Sequence, residues 1–168
     1  MKSPHQRPDE QLKIIFGISE TGKDTPFSEL DAFYLYIFNM VEKENIPWAL
    51  DIISCLFFLH THLDMEDIED LLFYSCGDIQ LILCDLHSVL DVPDITKGRS
   101  LRAFHVSLWD FLMDPNCSGM LFLNEGLAWT QLTQCFMQRI CKFLTSSPQS
   151  EYTYSSLIII TCVIHSLT

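Results

Sequence analysis

Between Leu30 and Leu90 the apolar residues recur at helical spacing in four consecutive runs, and a helix-starting or helix-breaking residue separates each run from the next. A half-buried strand alternates every second residue, so this stretch is committed to helices. The first run carries Leu30, Phe33, Tyr34, Ile37, Phe38 and Val41, with Pro26 and Ser28 placed to start it. Pro47 stands at the first position of the second, where its missing N–H costs nothing. Ala49, Leu50, Ile53, Leu56, Phe57 and Leu59 then carry that helix to His60, nearly all apolar, which predicts deep burial. Asp64 is placed to cap MEDIEDLL, whose Ile68, Leu71 and Leu72 make an inner face while Glu66 and Asp67 suit the positive end of the helix dipole. Gly77 breaks the chain, and Asp78 is expected to cap a fourth helix running through Ile79, Ile82, Leu83, Leu86, Val89 and Leu90 to near Asp91 and Pro93.

The next segments, VLDVP, the turn-rich DITKGRS and RAFHVSL, predict two short strands joined by a polar loop. Three helices followed by a hairpin is the order of a winged helix, and the turn between MEDIEDLL and GDIQLILCDLH supplies its helix-turn-helix. After Asp114 and Pro115 the loop PNCSG leads to a further helix marked by Leu127, Leu132, Phe136, Met137, Ile140 and Phe143. The expected fold is therefore mainly α: a helical segment plus a winged-helix-like unit with a short β-hairpin, followed by a further helix. The chain divides into a largely irregular linker at 1–27, a helix of a helical domain at 28–45, the winged-helix-like domain at 46–115, a helical extension at 116–145, and a linker with an apolar tail at 146–168. That tail, LIIITCVIHSLT, is strongly apolar for a free end, which suggests a truncated chain that has lost its covering continuation.

With 168 residues, 48% of them hydrophobic and 19% charged, the chain suits one compact domain or two small ones. Asp and Glu outnumber Lys and Arg by 22 to 10, and the resulting charge of −12 repels phosphate backbones and anionic lipid heads alike. The fourth helix, in the recognition position, offers Asp78, Gln80, Cys84, Asp85 and His87 without a Lys or Arg, so a DNA reader is excluded. The N-terminus lacks an apolar signal core, the tail is too short to span a bilayer, and seven cysteines without a CxxC pair read as reduced core thiols, which together place the chain in the cytoplasm.

Three stretches invite a chemical reading. Gly17 to Asp24, GISETGKD, has phosphate-loop spacing, with four residues between the glycines and Lys23 after the second. Asp24 stands where a hydroxyl must hold Mg²⁺, Pro26 interrupts the supporting helix, and no α/β sheet can follow, so a flexible linker accounts for it better. HTHLD has the HxHxD pattern in which His60, His62 and Asp64 would ligate a metal in a small metal-dependent hydrolase. Met65 replaces the further His such sites use, and solvated histidines at a helix C-terminus explain the same residues. FHVSLWDFL joins a strand to a helix, with His105 at the base of the wing and Ser107 or Asp110 near the helix start; alone, it reads as a structural histidine. Neither Cys55 nor Cys84 has surroundings that lower a thiol pKa, so no nucleophile is assigned, and Trp48, Trp109 and Trp129 read as core.

FFLHTHLDMEDIEDLL, GDIQLILCDLHSVLDVP and RAFHVSLWDFLMDPNCSG together resemble the region that follows the NTPase core in fungal NACHT proteins, a branch of the STAND signalling NTPases related to NOD-like receptors. The likeness runs from about Thr25 to Leu144 and is most specific from Leu86 to Gly119. It implies a helical and winged-helix unit downstream of a nucleotide-binding core, often with repeats beyond it. FHVSLWDFL is similar to the MHD motif of that class, in which a histidine contacts the β-phosphate of bound ADP and keeps the receptor closed. Phe104 stands in place of Met and Val106 in place of Asp, so the implied role covers His105 alone. The resemblance implies a regulatory fragment without ATPase activity that meets ADP or ATP only with a NACHT core in cis or trans. The other readings open to the sequence are the metal-dependent hydrolase and a helical protein-interaction scaffold without a ligand.

Overall fold

The computed structural model describes residues 28–59, 63–93 and 100–145. It is mainly helical, with one small hairpin. Helix α1 spans Ser28–Met40, α2 Ile46–Phe58, α3 Met65–Leu72 and α4 Asp78–Ile82, followed by a 3₁₀ turn at Cys84–Leu86. Strands β1, Leu90–Asp91, and β2, Arg102–Ala103, pair antiparallel, with Leu90 opposite Ala103 and Asp91 opposite Arg102. Helix α5, Ser107–Met113, α6, Pro115–Ser118, a 3₁₀ turn at Gly119–Leu121 and the long α7, Glu125–Thr145, complete the described chain. The order of helical segment, helix-turn-helix, hairpin and final helix is the one expected for a winged-helix-like unit.

One hydrophobic core joins all of these elements. Phe38 of α1, Ile52 and Ile53 of α2, Ile68 and Leu71 of α3, Ile79 of α4 and Phe111 of α5 are buried almost completely, and Leu90 and Leu101 anchor the hairpin to them. Burial of such side chains contributes about 1.5–3 kcal/mol each, which explains why helices as short as α3 and α4 persist here although neither would be stable alone.

Helix α3 begins as its sequence requires. The Asp64 carboxylate accepts the N–H of Asp67 at 3.1 Å, and the Asp67 carboxylate accepts the N–H of Asp64 at 3.3 Å, a reciprocal capping box. Helix α4 departs from expectation at both ends. Its N-cap is Gly77, in the left-handed region at φ 93°, and the carboxylate that serves its start is Glu69 from α3. Asp78 instead turns back to accept the N–H of Ser75 at 2.7 Å. The helix also stops at Ile82, well before the expected end near Asp91. Leu83, Leu86 and Val89 lie three apart and all are buried, and a 3₁₀ turn, which repeats every three residues, satisfies that spacing as well as an α-helix does.

Other differences have equally local causes. RAFHVSL is extended only to Ala103, because the chain beyond Phe104 is already folding into the first turn of α5. PNCSG is a short helix, with Asp114 as N-cap accepting the N–H of Asn116 at 2.8 Å and Pro115 at its start. On α7 the buried stripe is Ala128, Leu132 and Phe136, with Trp129 and Cys135 beside it, whereas Leu127 and Met137 face outward. Phe143 belongs to the helix, but its side chain lies outside what is described. Trp109 stacks against Phe57 and Phe58 at ring distances of 4.6 and 5.0 Å, and Trp129 meets Phe58 at 5.6 Å, as core residues do. Trp48, in contrast to its reading as core, is 49% exposed on the first turn of α2. The cysteines are less uniform than expected: Cys55 is buried, Cys117 and Cys135 are half-buried, and Cys76, Cys84 and Cys141 are exposed.

Candidate functional site

The hairpin delivers the chain to the first turn of α5. The N–H of Phe104 donates to the carbonyl of Val89 at 3.0 Å, one rung past the paired residues, and Arg102 ties the strands outside with a 2.9 Å ion pair to Asp91. The next residue, His105, begins the turn: its carbonyl accepts the N–H of Leu108 at 3.3 Å, and that of Val106 accepts the N–H of Trp109 at 2.9 Å. The first N–H groups of a helix have no partner within it. His105 supplies one from its side chain, since Nδ1 accepts the backbone N–H of Ser107 at 3.1 Å.

Two hydroxyls complete the arrangement. Ser107 Oγ lies 2.6 Å from His105 Nδ1, and Tyr34 Oη lies 2.7 Å from Ser107 Oγ. Tyr34 is only 3% exposed and its ring packs on Phe111 at 5.2 Å, so the far end of this chain of bonds is held in the core. His105 is exposed, between Phe104 at 62% and Val106 at 69% exposure. Beside it opens a cleft of about 250 Å³ between α1 and the hairpin, floored by Leu30, Phe33 and Val89 and edged by Ser88 and Phe104. The site is a fixed histidine on an apolar surface, next to a small apolar cleft with a few hydroxyls. This is suited to contacting a ligand or partner rather than to enclosing one.

The other sequence candidates are placed as follows. His60 and His62 lie outside the described residues, as does the stretch Gly17 to Asp24. Asp64 is described, and one oxygen of its carboxylate is engaged in capping α3. Burial, and next the charge of Asp64, push the Asp67 carboxyl up to about 6. Among the described residues no three His, Cys, Asp or Glu side chains gather as metal ligands do.

Four of the described thiols are held in the protonated form. Burial pushes Cys55 and Cys135 up, and Cys84 is raised by burial and by the neighbouring Asp85. Cys117 is pushed up to about 12, chiefly by a hydrogen bond to Asp31.

Sequence reasoning singled out His105 but not the hydroxyls that hold it. Ser107 was visible only as a possible helix start, and Tyr34 only as a core residue at helical spacing. A second cluster was also unannounced. Phe73 ends α3 in the left-handed region at φ 62°, and Arg139 of α7 lies 4.2 Å above its ring while reaching Asp70 at 3.5 Å. No described helix is long and apolar enough to cross a membrane. No family model, curated protein or solved structure matches the chain.

Proposed function

We propose that this chain is the regulatory winged-helix part of a NACHT- or STAND-type signalling NTPase, packing on a nucleotide-binding core and sensing ADP through His105. The observation that carries the reading is the setting of that residue: an exposed imidazole, anchored on one nitrogen, between the exposed apolar side chains of Phe104 and Val106. An apolar surface of that kind suits a partner domain, and an imidazole nitrogen at its centre suits a phosphate oxygen. The core that holds the nucleotide is supplied in cis or in trans, with a repeat domain as a further partner. The unit has no ATPase activity of its own and binds neither nucleic acid nor membrane, in keeping with its charge of −12. Free cysteines in six described positions accord with a cytoplasmic address, and the resemblance to fungal NACHT proteins extends the proposal to a role in innate immunity.

The test is ADP retention. A purified NACHT core from a fungal STAND protein, loaded with fluorescent ADP, is mixed with this chain and the dissociation rate is followed. The wild-type chain is expected to slow release at least tenfold, and His105→Ala to restore the rate of the core alone. Equal release with and without the wild-type chain rejects the reading.

A further inference from the structure

The hydrogen bonds around His105 determine where its proton sits. A backbone N–H can only donate, so the 3.1 Å bond from Ser107 requires Nδ1 to present a lone pair. A neutral imidazole with a bare Nδ1 carries its hydrogen on Nε2. The same bare nitrogen lies 2.6 Å from Ser107 Oγ, which must therefore turn its hydrogen toward the ring. With that hydrogen committed, Ser107 Oγ has only lone pairs for Tyr34, so the 2.7 Å contact between them is a bond donated by the phenol. One obligate donor thus orients the whole chain, from the Tyr34 hydroxyl through the Ser107 hydroxyl to Nδ1.

We infer that the Ser107 backbone N–H fixes His105 in the Nε2–H tautomer, with Ser107 and Tyr34 as positioning residues whose hydroxyls hold the ring against that N–H, so that the nitrogen left for a ligand is a donor and selects an acceptor such as a phosphate or carboxylate oxygen. Tyr34 is suited to this because its ring is buried against Phe111, which fixes the hydroxyl independently of the exposed loop. The assignment of the ring stands on these hydrogen bonds; only its use toward a nucleotide phosphate rests on the function proposed above.

The tautomer is read from two-bond ¹H–¹⁵N correlation spectra of the full chain labelled in histidine, at alkaline pH, with His105 identified by its loss in His105→Gln. The wild type is expected to show Nδ1 wholly unprotonated and Nε2 wholly protonated. Ser107→Ala removes the hydroxyl link and is expected to bring a measurable share of Nδ1–H, Ser107→Thr to abolish that share again, and Tyr34→Phe to give an intermediate spectrum. Amide shifts of α5 report whether each variant keeps its fold, and Tyr34→Phe serves where Ser107→Ala does not. An averaged or Nδ1–H pattern in the wild type overturns the inference, as does a Ser107→Ala spectrum identical to wild type in a folded protein. Retention of ADP by a core is a separate readout, so loss of either property leaves the other independently measured.

Discussion

The hydroxyl of Tyr34 meets Oγ of Ser107 at 2.7 Å across 73 positions of sequence, bonding α1 to the first turn of α5. Together with the packing of the Tyr34 ring on Phe111, that contact couples α1 to the loop that carries His105.

Tyr34→Phe is expected to cost about 1 kcal/mol, the net worth of a neutral hydrogen bond, while Tyr34→Ala costs about 3–5 kcal/mol because the ring packed on Phe111 is lost as well. Urea unfolding of the two variants measures the difference. Equal losses would show that the hydroxyl carries most of the contribution of the side chain.

Asp67 makes stability depend on pH between the ordinary carboxylate range and about 6. Its carboxyl is raised in the folded chain, so the folded state binds the proton more tightly than the unfolded one. The contribution is then full below the unfolded value of 3.8 and is lost as pH rises through about 6. Asp67→Asn keeps an oxygen for the N–H of Asp64 and removes the charge. After allowance for solvent screening of this partly exposed group, it should stabilise the chain by about 1 kcal/mol at pH 7 and by almost nothing at pH 4. Thermal melts at the two pH values decide it, and a gain of equal size at both would point to a cause other than charge.

Glu69 holds the turn of the helix-turn-helix from inside. It is 6% exposed, and its Oε1 accepts the N–H of Gly77 at 2.7 Å and of Ile79 at 3.4 Å. Glu69→Ala strands those donors and is expected to cost about 2–3 kcal/mol, whereas Glu69→Gln retains an acceptor oxygen and should cost less than half as much. Chemical denaturation gives both values, and local hydrogen exchange at Gly77 and Ile79 should quicken in the alanine variant first.

Phe73 inverts a familiar order. Within a helix glycine is less stable than alanine by about 1 kcal/mol, but the left-handed backbone of Phe73 favours glycine. Both Phe73→Gly and Phe73→Ala lose the ring beneath Arg139, so their difference isolates the backbone. The glycine variant is expected to be the more stable by about 1 kcal/mol in thermal melts, and the reverse ranking would show that α3 extends through this position in the alanine variant.

Helical spacing located α1, α2 and α3 well because their apolar residues recur at three and four positions and their ends carry Pro47, Asp64 and its capping partner. The extent of α4 was not legible, since Leu83, Leu86 and Val89 fit two helix types and the preference between them is set by packing. The inward face of α7 was not legible for a related reason: Leu127 and Met137 are as apolar as Leu132 and Phe136, and the position of α2 and α3 chooses between the stripes. From the residues around it His105 reads as a structural histidine, and the family resemblance is what singled it out. The chain of hydroxyls behind it was not legible, because tertiary packing brings the Tyr34 phenol to Ser107 from α1.

Among the described residues the hairpin pairs Leu90 with Ala103 and Asp91 with Arg102, a ladder too short to persist by itself. Leu90 and Leu101 are buried nearly completely, so the strands exist because the helices beneath them do. The wing therefore cannot outlast the helices it rests on. Any substitution that softens the core thus lowers the ceiling of temperature below which His105 can keep its place.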